Sequence, residues 1–184
     1  MHDFNSPPPP TGRGKALWVW FILAMALLGP ALLAWGVRGI AFAFSCKPGP
    51  EICHGLPLGY VLHSTLDLAW FIGTNTFAAL MVALAAGIAA LFAKRPLFAA
   101  LSLLALPLAT LVLPSFAVFY STYGGCQPNE SGIGDCLLWG SHMGMAFHHA
   151  AMAPWLIYAL MPYAFALSLM VGAIGFMFCR ERRA

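Results

Sequence analysis

Charged residues are scarce in this chain, and their scarcity excludes most soluble folds. Asp, Glu, Lys and Arg make up 8% of its 184 residues, against about 25% in an average soluble domain. A soluble protein of this length could not cover its surface with so few charges. The net charge of only +3, with no basic stripe, is too small to indicate nucleic-acid binding, and we expect no nucleic acid as a partner. The remaining class is a small, single-domain membrane protein.

Hydrophobic residues are abundant, at 61% of the chain, and they gather in four long runs. Each run exceeds the roughly 20 residues that a helix needs to cross a bilayer, and none shows the two-residue alternation of a β-strand. We therefore predict an all-α integral membrane protein, a four-transmembrane-helix bundle over residues 16–178. The predicted helices cover about 16–44, 58–93, 96–120 and 137–178. We see no broken helix pair of the kind that transporters use.

The basic residues predict how these helices are oriented. Seven of the nine lie at the end of the bundle that the positive-inside rule assigns to the cytoplasm. These seven are Arg13, Lys15, Lys94, Arg95, Arg180, Arg182 and Arg183. Residues 1–15, which contain four consecutive prolines, are predicted to be a disordered cytoplasmic arm. Residues 179–184 are predicted to be a basic cytoplasmic tail, so both termini are expected in the cytoplasm.

Four cysteines lie at the opposite, outer end of the predicted bundle. Cys46 and Cys53 bracket one loop, and Cys126 and Cys136 bracket the other. Disulfides persist in oxidising compartments, so we expect a multi-pass protein of a bacterial inner membrane with these loops in the periplasm. Pairing within each loop is the simplest arrangement, and pairing between the loops stays open.

Two of the predicted helices are longer than a bilayer is thick. Residues 137–178 would form about 63 Å of helix at 1.5 Å per residue, whereas the hydrocarbon core measures about 30 Å. We therefore expect the outer ends of the second and fourth helices to project into a small, disulfide-braced periplasmic cap. An alternative lays residues 137–152 flat on the membrane surface.

Residues with metal-binding side chains gather in this predicted cap. His63 and Asp67 share a helix face because they are four residues apart. On the fourth predicted helix a second face carries His142, Met145, His149 and Met152, flanked by His148. Imidazole and thioether ligands suit copper or another transition metal, and two facing histidines could ligate haem b.

The partners of these residues remain open at this point. His63 could face either His149 or His142, and Asp67 could either orient His63 or act as a ligand itself. The competing interpretation is a structural polar cluster or a subunit contact that binds no cofactor.

Three functions from different classes fit the sequence. The first is a non-catalytic accessory subunit of a larger inner-membrane complex, respiratory or photosynthetic, because the chain is small and lacks a catalytic signature. Its partners would be the lipid bilayer and other membrane protein subunits, and the alanine-rich stretch 78–90 favours close helix packing. The second is a periplasm-facing metal-binding or haem-binding protein that uses the histidine cluster.

The third function is thiol–disulfide oxidoreduction. The layout resembles the quinone-linked disulfide-generating membrane proteins, which have four helices and cysteine pairs in both outer loops. That family uses a Cys-x-x-Cys pair at the entrance to its second helix. Here six residues, two of them proline, separate Cys46 from Cys53, so the resemblance covers topology alone.

Overall fold

The computed structural model describes residues 12–119 and 136–181, which form five α-helices and one β-hairpin. The helices are α1 (Gly12–Ala43), α2 (Leu58–Thr74), α3 (Thr76–Phe92), α4 (Pro96–Phe119) and α5 (Gly144–Glu181). The hairpin consists of β1 (Leu137–Leu138) and β2 (Ser141–His142), which pair antiparallel. The predominance of apolar helices agrees with the all-α membrane class predicted from the sequence.

The described helices provide three or four candidate membrane crossings. Among the described residues, α1, α4 and α5 are each long and apolar enough to span a bilayer, and α2 with α3 makes a fourth candidate if the bent pair is one span. The first and third predicted helices agree closely with α1 and α4. Helix α1, however, begins at Gly12, so residues 12–15 are helical rather than part of a disordered arm. Residues 1–11 lie outside the described part of the chain.

The prediction of one continuous helix over 58–93 is wrong. The chain breaks at Asn75, and the axes of the two halves differ by 79°. Gly73, Thr74 and Asn75 are poor helix formers, and the Thr74 hydroxyl donates to the carbonyl of Trp70 at 2.8 Å, a local bond that competes with regular helix. The sequence thus conceals a bent helix pair in a run that is long and mainly apolar, although α2 carries His63 and Asp67.

The predicted start of the last helix at residue 137 is also wrong. Residues 137–142 form the hairpin, and the two-residue turn Trp139–Gly140 has φ of +49° and +79°. Two positive φ values define the type I′ turn that joins tightly paired strands. The alternative of a surface helix over 137–152 fails for the same reason, because α5 begins only at Gly144 and runs unbroken to Glu181.

Two hydrophobic cores hold the helices together. The first joins α1, α3 and α4, and most of its α3 contribution is alanine. Its fully buried members include Ala83, Ala86 and Leu103. Small side chains let membrane helices approach closely, so the buried part of the alanine-rich stretch is used inside the bundle.

The second core lies at the end of the molecule that carries the cysteines. It combines the last turns of α1 with α2, the hairpin and the start of α5, and it contains Cys53 and Cys136. We call this end the cysteine end. The opposite end carries Arg13, Lys15 and the Lys94–Arg95 turn, and we call it the basic end. The residues of the predicted cap therefore pack together, with α2, the hairpin and α5 around a common core.

Candidate functional site at the cysteine end

A disulfide braces the first loop of the cysteine end. Cys46 and Cys53 are bonded to each other, with their Cα atoms 5.6 Å apart. This confirms the predicted pairing within that loop and excludes a bond from either residue to the second loop. Cys136 is also disulfide-bonded, whereas Cys126 lies outside the described residues. Cys53 and Cys136 are each only 8% exposed, so both pack as core residues.

The hairpin fastens this loop to the rest of the cysteine end. The backbone N–H of Trp139 donates to the carbonyl of Gly49 at 2.7 Å, and its indole Nε1 donates to the carbonyl of Lys47 at 3.2 Å. The side chain of Trp139 is buried. One tryptophan therefore ties the hairpin to the disulfide loop through both its backbone and its side chain.

A carboxylate links the two helices that carry the predicted histidines. Asp67 Oδ2 lies 3.1 Å from Nδ1 of His63, one turn away on α2. Its other oxygen, Oδ1, lies 3.4 Å from Nδ1 of His149 on α5. The sequence left open whether His63 faces His149 or His142, and the structure brings His63 and His149 to the same carboxylate. We call His63, Asp67 and His149 the histidine–aspartate cluster.

His149 is the most enclosed member of this cluster. Its side chain is 18% exposed, against 43% for Asp67, and its ring stacks on Trp70 with centroids 4.5 Å apart and planes inclined by 7°. Its Nδ1 is buried and has no hydrogen-bond partner of good geometry among the described residues, although Oδ1 of Asp67 lies 3.4 Å away. The ring is therefore held by stacking and by electrostatic contact with the carboxylate.

The remaining candidate residues differ in their element and in their exposure. His142 belongs to β2 and is exposed, so it does not share a helix face with Met145 as predicted. Met145 is 55% exposed, and Met152 is half-buried. His148 is half-buried too, with its ring centroid 6.0 Å from that of His149. His142, the first of the four residues predicted to share one face of the last helix, therefore lies in the hairpin instead.

The cluster offers two kinds of chemistry. Both histidines turn Nδ1 toward the carboxylate, the arrangement by which carboxylates orient metal-binding imidazoles. The same contacts also make a polar clamp between α2 and α5. Within residues 12–119 and 136–181, however, no three His, Cys, Asp or Glu side chains are arranged to hold a metal ion.

One member of the site was missed by the sequence analysis. Trp70 follows Asp67 by three residues, and His63, Asp67 and Trp70 therefore lie along one face of α2. That spacing was available in the sequence as a signal. Trp139 carried a weaker signal, because Trp-Gly is not among the usual turn pairs of a two-residue hairpin.

The fold and this cluster define a class: a helical membrane protein with a disulfide-braced unit at one end. We compared the chain with protein-family models, curated proteins and solved structures, and none of the three comparisons yields a match.

Proposed function

We propose that this protein is a non-catalytic subunit of a larger membrane complex, bound to its partners through the cysteine end. We further propose that it belongs to a bacterial inner membrane, with the basic end in the cytoplasm. The observation that carries the subunit proposal is a set of exposed apolar side chains at the cysteine end, which the length of α1 would place beyond the hydrocarbon core.

The length of α1 supports this interpretation. Its 32 residues measure about 48 Å, so about 18 Å of helix lies outside a hydrocarbon core of about 30 Å. With the exposed Trp18 at one membrane boundary, as tryptophans prefer, about 20 residues of helix place the other boundary close to Arg38. Ile40, Phe42 and Phe44 lie beyond it.

These side chains are unusually exposed for their position. Phe42 is 87% exposed, and Phe44 is 53% exposed. Tyr60, at the start of α2 in the same unit, is 68% exposed. Apolar residues gathered outside the hydrocarbon favour a protein contact over contact with water. A partner subunit at the same membrane would cover them.

The chemistry-bearing residues of this end support a structural role. Asp67 contacts both histidines, and these contacts join α2 to α5. Cys53 lies in the core, whereas a cysteine that exchanges disulfides needs access to its substrate. Thiol–disulfide oxidoreduction therefore has less support than a rigid platform for a partner.

The subunit proposal is tested by shortening one exposed ring. Burying a Phe side chain contributes about 1.5–3 kcal/mol, so Phe42→Ala should weaken recovery of the partner by tenfold or more. Phe92→Ala is the matched control, because Phe92 is 75% exposed but lies at the basic end. The measurement is native mass spectrometry after extraction in mild detergent.

The outcomes of this test differ clearly. Loss of the partner in Phe42→Ala alone, at unchanged thermal stability, supports the proposal. Equal recovery in both variants, or a wild-type chain that arrives alone, contradicts it. If the wild-type chain is recovered only with a second copy of itself, the protein is a homo-oligomer, and the subunit proposal is contradicted as well.

A transition-metal site, copper above all, is the second candidate function. The supporting observation is that Asp67 contacts Nδ1 of both His63 and His149. The Nε2 atoms of both rings are then left for a ligand. Haem b has less support, because a macrocycle between the two rings would separate them too far for one carboxylate to reach both. Elemental analysis tests this candidate: near-stoichiometric copper or zinc that is lost in His149→Ala would favour it.

A further inference from the structure

A groove opens at the basic end, between the N-terminal parts of α1 and α4. Its lining residues are Leu17, Trp20, Phe21, Arg95 and Phe98, and its volume is about 320 Å³. Ligand sites in proteins measure about 300–1,000 Å³. Four of the five lining side chains are apolar or aromatic and the fifth is a guanidinium, so the groove matches a ligand with a hydrocarbon part and an anionic part.

The aromatic side chains that line the groove are held in place by contacts within the protein. The rings of Trp20 and Phe98 pack with centroids 4.6 Å apart. The indole Nε1 of Trp20 donates to Oγ of Ser102 at 2.7 Å, and Ser102 in turn donates to the carbonyl of Phe98 at 2.7 Å. Because the indole N–H is satisfied inside the protein, the ring presents its apolar surface to the groove.

The guanidinium of Arg95 is positioned by the turn between α3 and α4. The N–H of Arg95 donates to the carbonyl of Ala90, and the N–H of Lys94 donates to that of Leu91. This is the bond pattern of a Schellman motif, and Lys94 takes its left-handed position with φ of +58°. Arg95 then directly precedes α4, whose N-terminal N–H groups also favour an anion.

Other positive charges lie beside Arg95, with little negative charge to oppose them. Arg13 donates from Nε to the carbonyl of Ala93 at 3.0 Å, which brings a second guanidinium to this turn. Lys15 adds a further charge at the start of α1. Helices α1, α3 and α4 contain no Asp or Glu. Within the described part of the chain, the Arg95 side chain has no hydrogen-bond or ion-pair partner.

We propose that this groove binds one anionic phospholipid of the surrounding bilayer. The phosphate contacts the Arg95 guanidinium, whose planar fork suits two parallel bonds to phosphate oxygens. The acyl chains lie against Trp20, Phe21 and Phe98. Basic pockets between transmembrane helices recognise acidic headgroups in the same way. The lipid site does not depend on the subunit proposed for the cysteine end.

The test measures lipid retention by the full chain. The purified protein in neutral detergent is titrated with phosphatidylglycerol, and bound lipid is counted by native mass spectrometry. Phosphatidylcholine with the same acyl chains is the reference without net charge, because its choline ammonium offsets the phosphate, and glycerol phosphate is the free headgroup. We expect one phosphatidylglycerol per chain, retained more strongly than phosphatidylcholine. One basic residue near an anionic surface contributes about fivefold in affinity, so Arg95→Gln should bind about fivefold more weakly.

Two further variants make the result specific. Arg38→Gln removes the same charge near the cysteine end and should leave retention unchanged. Phe21→Ala shortens a ring that is 49% exposed, so it should weaken retention without disturbing the core. Equal binding of phosphatidylcholine and phosphatidylglycerol would overturn the proposal, as would unchanged retention in Arg95→Gln. Binding of glycerol phosphate as strong as that of the lipid would assign the site to a free anion and overturn it too.

Discussion

The closest approach between α2 and the hairpin gives a sharp prediction about the cysteine end. Gly59, in the first turn of α2, lies directly against the carbonyl groups of Leu138 and Trp139. A Cβ atom at Gly59 would lie 2.8 Å from the Trp139 oxygen and 2.9 Å from Cβ of Ser141. Such separations are shorter than van der Waals contact, so Gly59→Ala requires the helix and the hairpin to move apart.

The size of this effect follows from what surrounds Gly59. Overpacking by one methyl group destabilises a core by about 1–3 kcal/mol, and here the obstacles include backbone atoms of a tight turn, which cannot rotate away. We expect Gly59→Ala to lower the free energy of unfolding by about 2 kcal/mol. For a chain of this length, that corresponds to a Tm about 4–8 °C lower.

The assay is thermal unfolding in detergent, followed by tryptophan fluorescence. Gly36→Ala is the matched control, because Gly36 lies inside α1 with nothing within 4 Å of an added Cβ. Alanine is better than glycine in a helix by about 0.5–1 kcal/mol, so Gly36→Ala should raise the Tm slightly. A Gly59→Ala variant that is as stable as wild type would refute the close packing of α2 on the hairpin.

Two further predictions concern the contacts that hold the cysteine end together. Asp67→Asn keeps the side-chain shape but removes the charge that both histidines contact. We expect the free energy of unfolding, measured by thermal unfolding, to fall by about 1 kcal/mol. The effect is small because Asp67 is partly exposed and solvent screens the interaction. If the Tm of Asp67→Asn equals that of the wild type, the histidine–aspartate cluster contributes nothing to stability. Exchange of both Cys46 and Cys53 for Ser should destabilise the fold by about 2–3 kcal/mol, because the seven-residue separation closes a short loop. A double variant with wild-type stability would show that the bond does not brace this end.

Much of the fold could be predicted from local patterns in the sequence. The bounds of α1 and α4 were predicted within a few residues, because long apolar runs are bounded by charge or by proline. The Cys46–Cys53 bond was predicted from a loop whose ends must lie close. These features are local, and a local pattern in the sequence is sufficient to predict them.

The errors arise where tertiary packing overrides an apolar run. The break at Asn75 and the hairpin at Trp139–Gly140 both interrupt long, mainly apolar sequence, where a few poor helix formers do not by themselves predict an interruption. Gly73, beside the break, packs against the side chain of Leu111, so closely that a Cβ atom there would collide with it. The Trp139 turn is anchored by bonds to Lys47 and Gly49, about 90 residues away in sequence. Contacts at that separation leave no periodic signal in the sequence.

The candidate site was predicted in composition but not in arrangement. His63, Asp67 and His149 were all named from the sequence, since i,i+4 spacing places His63 and Asp67 together. Helical spacing also placed His142 on one helix face with His149, and this was wrong because His142 belongs to β2. The choice between His142 and His149 depended on where α5 begins, which is set by the hairpin.

The composition of the particle extracted from its native membrane tests the proposed function most directly. Native mass spectrometry in mild detergent, with elemental analysis of the same sample, gives both its subunits and its metal content. We expect this chain to be recovered with a larger membrane protein and without stoichiometric metal. A chain recovered alone, with one copper or zinc ion that disappears in His149→Ala, would contradict the subunit proposal and make the histidine–aspartate cluster a metal site.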